Sequence, residues 1–367
     1  WVSVCGSGIM TSCLAIAEYS DLEYTFGGVT YSSGDVIKTT IADILKDTRD
    51  CMEAYVPDGA YAESPGYWGY GTNTLFVMIE NLMSTAGSSY GYSDAVGMDN
   101  TCEYALKIES PDGKYWNYHD SGSGNMATHH FSFAGKLYNK ASLITIRYSQ
   151  IEAGKSYGFE DILYYDDSCY GGAAQMPDPD AYFEGIDTFV TRSSWSRGGI
   201  FTGLHAGPNY TLHGNYDSGN FVIYKDGVEW VCDLGSDNYN LRSYFMNASY
   251  YRLSPEGANT IVISGKDDMT SGQILRGESK TVRYESGDYG ALSVVDMSGV
   301  YGKYVSSAKR GMLFTNNRET IVVQDEIELT ESSEVWWFAH TKVARGSITF
   351  SDDRRTAYLR SGGTVLR

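Results

Sequence analysis

The stretch Phe221-Val-Ile-Tyr-Lys-Asp-Gly-Val-Glu-Trp-Val-Cys232 decides the fold class of the second half of the chain. Two short runs of apolar residues flank Asp226-Gly227, a dipeptide typical of a two-residue hairpin turn. Similar apolar runs recur downstream at residues 260–263, 313–323 and 347–359. Many short strands with few helical patterns predict an antiparallel β-sandwich.

The first 165 residues carry a helical pattern instead. Apolar residues recur every three or four positions from Asp35 to Tyr55 and from Thr72 to Met83, a spacing that places them on one helix face. Pro57 is expected to end the first of these helices. Weaker helical patterns cover residues 9–19, 101–108 and 141–151. Repeated helix pairs of this kind predict an array of α-hairpins.

The two patterns are separated by a segment rich in turn residues. Residues 166–184 include Gly171-Gly172, Pro177 and Pro179, which favour a linker. We therefore predict an α+β chain with a helical part at 1–165, a linker at 166–184 and an antiparallel β part at 185–367.

Composition narrows the class of protein. The 367 residues are 14% aromatic and carry a formal net charge of −18, which argues against disorder and against nucleic acid as a partner. No apolar run approaches the ~20 residues of a membrane span. The six cysteines form no CxxC pair, so we expect free thiols and no zinc knuckle. The chain begins at Trp1, as expected of a processed protein or a fragment.

Asp58-Gly-Ala-Tyr-Ala-Glu-Ser-Pro-Gly-Tyr-Trp-Gly-Tyr-Gly71 is the first candidate site. It places the carboxylate of Glu63 beside Tyr67, Trp68 and Tyr70, in what we interpret as a loop between two helices. Aromatic faces in such a loop can hold sugar rings. Packing between the helices is the alternative interpretation.

Two further stretches carry residues suited to proton transfer. Tyr118 is followed by His119 and Asp120, an arrangement that can shuttle protons. His213 precedes a predicted strand, with Asp217 close behind it, and suits a base or a metal site. A packing turn and a buried structural histidine are the alternatives.

Together these segments resemble the heparinase II/III family of polysaccharide lyases. The similar segments, in chain order, are Trp1–Ala17, Asp58–Gly71, Tyr182–Trp195, His213–Phe221, Asp233–Gly235 and Tyr251–Thr260. The resemblance implies an incomplete (α/α) toroid followed by an antiparallel β-sandwich. It also implies β-elimination on a uronic-acid polysaccharide, which breaks the bond to O4 and leaves a C4–C5 double bond.

The resemblance also suggests catalytic roles. Tyr118 follows Glu63 by 55 residues, about the family's separation, and would be the acid/base at C5 and O4. Glu63, held protonated, would neutralise the uronate charge. His213 would be the base for the opposite C5 epimer. The expected substrate-binding residues are Tyr67, Trp68, Tyr70, Arg192, Asn215 and Arg252.

Several family members hold a structural zinc ion, and here its ligand positions are changed. They are occupied by Asn215, Asp233 and Ala258, so only the aspartate remains, and these residues do not make a tetrahedral zinc site. We therefore predict no cofactor and no zinc of this type, unless His205 or His213 substitutes.

Two other functions fit the same residues. A non-catalytic carbohydrate-binding relative would keep the fold without the chemistry. A glycoside hydrolase would need two opposed carboxylates, and Asp120 is the carboxylate available to act with Glu63.

The expected binding partner is an anionic uronate polysaccharide of glycosaminoglycan or alginate type. Such polymers are met outside the cytoplasm, so we expect an extracellular or periplasmic protein; nothing in the sequence indicates its oligomeric state.

Overall fold

The computed structural model of the chain describes residues 1–245, 247–263, 272–315 and 317–367. Their mixed helices and antiparallel sheets confirm the α+β class. The chain forms two compact units. The first comprises Trp1–Tyr61, Tyr67–Tyr104 and Ala127–Met176, and the second comprises Ala62–Gly66, Ala105–Met126 and Pro177–Arg367. The second unit thus includes two segments that precede the predicted linker.

Helices account for most of the chain before residue 164. Their bounds are α1 Val2–Ala15, α2 Ser33–Asp47, α3 Pro65–Ala86, α4 Thr101–Ile108, α5 Phe131–Leu137, α6 Ala141–Glu152 and α7 Phe159–Leu163. A short hairpin, β1 Glu23–Phe26 with β2 Val29–Ser32, lies between α1 and α2. The bounds of α4 agree with the helical pattern predicted at 101–108.

Helix α2 shows how local sequence sets a helix boundary. The Ser32 hydroxyl accepts from the backbone N–H of Asp35, which caps the first turn. The helix ends at Asp47, and residues 49–55 form a 3-10 helix. At the break, the Thr48 hydroxyl donates to the Ile44 carbonyl and contacts the Tyr92 hydroxyl. The single helix predicted from Asp35 to Tyr55 is therefore two elements.

Helix α3 corrects the loop predicted at residues 58–71. The helix begins at Pro65, so Tyr67, Trp68 and Tyr70 lie on it rather than in a loop. Proline is favoured in the first helical turn, whereas each glycine in a helix costs about 1 kcal/mol relative to alanine. Burial of a large side chain such as Trp68 offsets this cost by roughly 1.5–3 kcal/mol, an effect that helix propensity does not include.

A buried ion pair joins α6 to α7 within the first unit. Nε and Nη2 of Arg147 lie 2.9 and 2.7 Å from the two carboxylate oxygens of Asp161. The backbone N–H of Gly158 also donates to Asp161, at 2.8 Å. Burial raises the pKa of Asp161, but Arg147 and Gly158 outweigh it and leave this pKa below its usual value.

The second unit contains the longer sheets. One five-stranded sheet has the order β3-β4-β5-β7-β8 and the other β13-β12-β11-β10-β6. The bounds are β3 Ala181–Phe183, β4 Thr188–Arg192, β5 Phe201–His205, β6 Gly207–Pro208, β7 Phe221–Lys225, β8 Val228–Val231, β10 Glu278–Gly287, β11 Gly290–Asp296, β12 Val305–Thr315 and β13 Thr320–Leu329. The smaller pairings involve β9 Ile261–Ile263, β14 Val335–Trp337, β15 Ile348–Phe350, β16 Ala357–Ser361 and β17 Thr364–Leu366; the short helix α8 covers Ser298–Tyr301.

The predicted hairpin at 221–232 is confirmed. Strands β7 and β8 pair antiparallel, and Asp226 and Gly227 have φ values of 55° and 72°, as a tight hairpin turn requires. Strand β3 pairs with β4 and lies entirely inside the segment 166–184 that was predicted to be a linker.

Both five-stranded sheets contribute to one hydrophobic core. Its buried residues include Phe189, Leu204, Phe221, Ile223 and Trp230 from one sheet and Ala291, Val295, Val305, Ala308 and Met312 from the other. This shared core fixes the ends of β5 and β7, which lie next to the candidate site.

Two further expectations concern cysteines and membranes. All six cysteines are free thiols, and Cys13, Cys102, Cys169 and Cys232 are buried. Among the helices within the described ranges, none combines the length and apolar character needed to cross a bilayer.

Candidate active site

A turn in the second unit carries three of the residues singled out above. The segment Ala105–Met126 reverses at Gly113, whose φ of +87° suits glycine. The backbone N–H of Ser110 donates to the carbonyl of Lys114, and Lys114 pairs with Asn125. These bonds fix the short stretch at 118–120.

Backbone contacts join this stretch to two later loops of the same unit. The N–H of Asp120 donates to the carbonyl of His213 at 3.1 Å, and the N–H of Ser236 donates to the carbonyl of Ser121 at 3.1 Å. A Cβ atom at Gly235 would overlap the Ser121 carbonyl. Only glycine therefore permits the close approach of the Asp233-Leu-Gly235 turn.

The side chains of His213, Asp120 and Tyr239 meet where these loops converge. Nδ1 of His213 lies 2.9 Å from Oδ2 of Asp120, and the Tyr239 hydroxyl donates to the same oxygen at 2.7 Å. The side chain of Asp120 is 1% exposed and that of His213 17%, while Tyr239 is 46% exposed. An ionised carboxylate accepts only, so a neutral imidazole that faces it donates from Nδ1–H and carries its lone pair on Nε2.

The backbone is strained beside this group. His119 has φ 58° and His213 has φ 61°, the left-handed region that non-glycine residues rarely adopt. Such conformations cost about 1–3 kcal/mol and concentrate at functional sites. Two of them next to one histidine–carboxylate pair favour a functional assignment for that pair.

Tyr118 is buried among other rings. Its side chain is 0% exposed, and its ring stacks on His205 at 5.0 Å and meets Trp116 edge-on at 5.7 Å. A role in which Tyr118 touches substrate stays a prediction.

A second cluster, which we call the buried triad, consists of His119, His205 and Asp217. One potential ligand atom of each lies within 4.8 Å of the others, and all three residues are buried. Burial and the neighbouring His119 lower the pKa of His205 to about 3. Burial raises the pKa of Asp217, but His119 outweighs it and leaves this pKa below its usual value. Within the described ranges this is the group that could hold a metal ion.

Glu63 belongs to a segment that reaches the Asp120 turn. Glu63 is half-buried, and three residues later the N–H of Gly66 donates to the Ser121 hydroxyl at 3.2 Å. Its role as the group that neutralises the uronate stays a prediction.

The three predicted sugar-binding aromatics differ in exposure. Trp68 is 1% exposed and donates its indole N–H to the Thr101 hydroxyl at 2.7 Å, which argues for a structural role. Tyr67 is half-buried and Tyr70 is exposed. Only these two offer surface to a ligand.

Arg192 is also placed as a structural residue. Its buried guanidinium donates to the carbonyls of Glu109 and Lys107 and lies 3.7 Å above the Trp195 ring. Burial lowers its pKa to about 9. Arg252, in contrast, is exposed and donates to two backbone carbonyls, those of Leu234 and Ser236, at 2.7 and 2.9 Å.

The residues at the family's zinc positions do not fit a zinc ion. Oδ2 of Asp233 accepts from Asn220 at 2.6 Å, and Oδ1 accepts from the N–H of Gly235 at 2.7 Å. Ala258 offers no side-chain ligand atom. The Oδ1 atom of Asn215 is buried without a partner, but an amide oxygen is not among the usual ligands of zinc. Burial and the nearby Asp217 charge raise the pKa of Asp233 to about 7, which further weakens it as an anionic ligand.

Tyr239 was not among the residues predicted from the sequence, and Asp120 was predicted only as part of a proton shuttle or as a hydrolase carboxylate. Tyr239 lies four residues after the Asp233-Leu-Gly235 motif, so the motif could have directed attention to it. Asp120 and His213 are 93 residues apart. No local pattern predicts that pairing.

Comparison with known proteins gives a consistent result. The sequence profile of the heparinase II/III-like C-terminal family matches residues 200–365. No curated protein matches the sequence. One similar solved structure is a heparinase III gene product, with a TM-score of 0.70 and 16% identity over 96% of this chain and 49% of that chain. Another is heparinase III, with a TM-score of 0.71 and 14% identity over 97% of this chain and 51% of that chain. A third is the heparan sulfate lyase HepC from Pedobacter heparinus, with a TM-score of 0.66 and 15% identity over 97% of this chain and 50% of that chain.

At these identities the structural likeness establishes a shared fold, and the chain spans about half the length of the structures it resembles. The profile match identifies the later part of the sequence independently of that likeness. Residues 200–365 therefore match the heparinase II/III-like C-terminal family, and the resemblance of the chain to the heparinase II/III family is confirmed.

Proposed function

We propose that the chain is part of a polysaccharide lyase that cleaves a uronic-acid-containing polysaccharide by β-elimination. The observation that carries the proposal is the pairing of His213 with Asp120, completed by the Tyr239 hydroxyl. A histidine oriented by a buried carboxylate is a recurrent general base. Here it is partly exposed, as contact with a polymer requires.

His213 is the base in this proposal. Its Nε2 atom takes the proton from C5 of the uronate, and the negative charge of Asp120 stabilises the imidazolium that results. The electron pair released from the C5–H bond forms the C4–C5 double bond as the bond from C4 to O4 breaks.

Tyr239 is the proposed acid. Its hydroxyl shares Asp120 with His213 and is the exposed phenol of the group, so we assign to it the proton that the departing O4 receives. The imidazolium then returns a proton to the tyrosinate through water, which restores both residues. Glu63 is the proposed donor that neutralises the substrate carboxylate and makes the C5 proton more acidic.

We also propose a toroid for the helical unit and a sandwich for the unit with the long sheets. The paired helices of the first unit, α1 with α2 and α5 with α6, support an incomplete (α/α) toroid. The core shared by the two five-stranded sheets supports an antiparallel β-sandwich. The similar structures are described as heparinases and a heparan sulfate lyase, which favours a glycosaminoglycan as substrate. A polymer of that kind implies an extracellular or periplasmic protein.

The test is ultraviolet absorbance of the unsaturated product, measured with this chain and a panel of uronate polymers. We expect a rise with a glycosaminoglycan. His213→Gln should remove the rise, while Tyr210→Phe should retain it, because Tyr210 is exposed and lies outside the proposed group.

The non-catalytic alternative gives a different result. If the chain binds a polymer by calorimetry but produces no absorbance, it is a carbohydrate-binding relative, and the lyase proposal is wrong. New reducing ends without unsaturation would indicate hydrolysis instead.

A further inference from the structure

We propose that the buried triad of His119, His205 and Asp217 binds a divalent transition-metal ion, best matched by Zn²⁺. The three residues come from separate parts of the second unit: the turn at 105–126, the last residue of β5, and the loop before β7. Two imidazoles and one carboxylate are the donors that zinc takes in three-ligand sites.

The hydrogen bonds of His205 direct one of its nitrogens to a metal. The Thr188 hydroxyl donates its single proton to the Ile186 carbonyl at 2.9 Å, and it also lies 2.7 Å from Nδ1 of His205. With that proton directed at the Ile186 carbonyl, the hydroxyl accepts from Nδ1–H of His205. This leaves the lone pair of His205 on Nε2, and a hydrogen bond from the other ring nitrogen is the usual support of a metal-binding histidine.

The distance between His119 and Asp217 already matches the distance between two ligand atoms of one zinc ion. Nδ1 of His119 is buried and makes no well-aligned hydrogen bond, yet it lies 3.3 Å from Oδ2 of Asp217. Two atoms bound tetrahedrally at ~2.0–2.1 Å from zinc are ~3.3 Å apart. The triad atoms lie within 4.8 Å of one another, so the third ligand needs to move inward by at most about 1.5 Å to reach the same geometry.

A metal ion would also compensate a buried charge. Asp217 is buried, and its ion-pair partner among the described residues is His119. A histidine that ligates a metal is neutral, and a buried carboxylate next to neutral imidazoles is costly without a cation. A divalent ion shared with the two imidazoles supplies that cation. A fourth position remains for water or another oxygen ligand.

This site is distinct from the family's zinc positions, and a bound ion would link two backbone segments of the candidate active site. It uses none of Asn215, Asp233 and Ala258. His119 directly precedes Asp120 in the chain, and Asp217 follows His213 by four residues. The ion would therefore cross-link the backbone segments that bring Asp120 and His213 together, as a positioning element without substrate contact.

The test measures metal directly. We would strip the whole chain with a chelator, titrate it with ZnCl₂ and determine bound zinc by elemental analysis. We expect one equivalent for the unchanged chain. Asp217→Asn and His205→Gln should weaken binding by roughly tenfold or more, since even residues that only support a ligand contribute 10–100-fold.

Two matched substitutions serve as controls. Asp233→Asn removes the aspartate at the family position, and His340→Gln removes a histidine outside the triad. Both should retain one equivalent. Less than about a fifth of an equivalent in the unchanged chain would overturn the proposal, as would loss of zinc in Asp233→Asn but not in Asp217→Asn.

Variants that fail to fold do not leave the question open. X-ray absorption at the zinc edge of the unchanged chain should show nitrogen and oxygen ligands with imidazole scattering. A sulfur shell, or a spectrum without imidazole, would place the ion elsewhere and refute the assignment. Neither readout depends on lyase activity, so the metal site and the proposed reaction are tested separately.

Discussion

Nδ1 of His213 lies 2.9 Å from Oδ2 of Asp120, although 93 residues separate them in the chain. The contact fixes both the tautomer and the orientation of the imidazole. Because Asp120 is almost fully buried while His213 is partly exposed, the pair presents one side to solvent. The first prediction follows from this asymmetry.

Asp120→Asn should lower the lyase rate by roughly 10²–10⁴-fold, because an amide can hold His213 in the wrong tautomer and cannot stabilise the imidazolium. The initial rate of product absorbance measures this. Asp353→Asn changes an exposed aspartate and should leave the rate within about twofold of the parent. An Asp120→Asn rate equally close to the parent would show that Asp120 does not support the base.

Tyr239→Phe and Tyr118→Phe should separate the two candidate tyrosines. We expect Tyr239→Phe to lower kcat by roughly 10²-fold or more, as for loss of a general acid, with little change in Tm. Tyr118→Phe removes a buried hydroxyl and should lower the free energy of unfolding by about 1 kcal/mol while most of the activity remains. The reverse outcome, with Tyr118→Phe inactive at an unchanged Tm, would restore the role predicted from the sequence.

Arg192 should behave as a structural residue. Arg192→Ala leaves the carbonyls of Glu109 and Lys107 without their donor and should lower the free energy of unfolding by about 3 kcal/mol or more. Urea denaturation measures this. Arg252→Ala, at an exposed position, is the matched control and should cost much less. If Arg192→Ala were as stable as the parent and only KM rose, Arg192 would be a substrate ligand.

The ion pair between Arg147 and Asp161 predicts a pH dependence of stability. The pKa of Asp161 is lower in the folded chain than in the unfolded one. Its contribution is therefore complete above the unfolded value of about 3.9 and is lost as pH falls through the lower folded value. Asp161→Asn should cost about 3 kcal/mol at neutral pH, because it leaves Arg147 buried without its charge partner.

Denaturant unfolding of the parent and of Asp161→Asn, compared between about pH 6 and pH 3, should show the difference shrinking in acid. Glu285→Gln, which breaks the exposed pair with Arg283, should leave stability nearly unchanged at every pH. A difference for Asp161→Asn that grew in acid would contradict the pKa direction.

Local sequence patterns predicted the helices and hairpins that depend on interactions between residues close together in the chain. The helix at Thr101–Ile108 and the hairpin around Asp226-Gly227 follow from side-chain periodicity and turn chemistry. The start of α3 at Pro65 could not be predicted in this way. Glycines at 66, 69 and 71 suggest a loop until the burial of Trp68 is known. That burial depends on residues from elsewhere in the first unit.

The sequence predicted one residue of the group around Asp120 but not the contacts that form it. His213 was identified by its position before β7 and by the family resemblance, and it lies in the group described above. Its pairing with Asp120, the approach of Tyr239 and the buried triad all join residues that are distant in the chain. Such pairings depend on tertiary structure. The stacking of Tyr118 on His205 also joins residues that are distant in the chain.

The discontinuity of the second unit has a consequence for how the protein can be divided. Asp120 lies in Ala105–Met126 and His213 in Pro177–Arg367, with Ala127–Met176 of the first unit between them in the chain. A fragment that starts at Pro177 would contain the base and both long sheets but lack the carboxylate that orients the base. During synthesis, too, the ribosome must complete the last helices of the first unit before the two partners can meet.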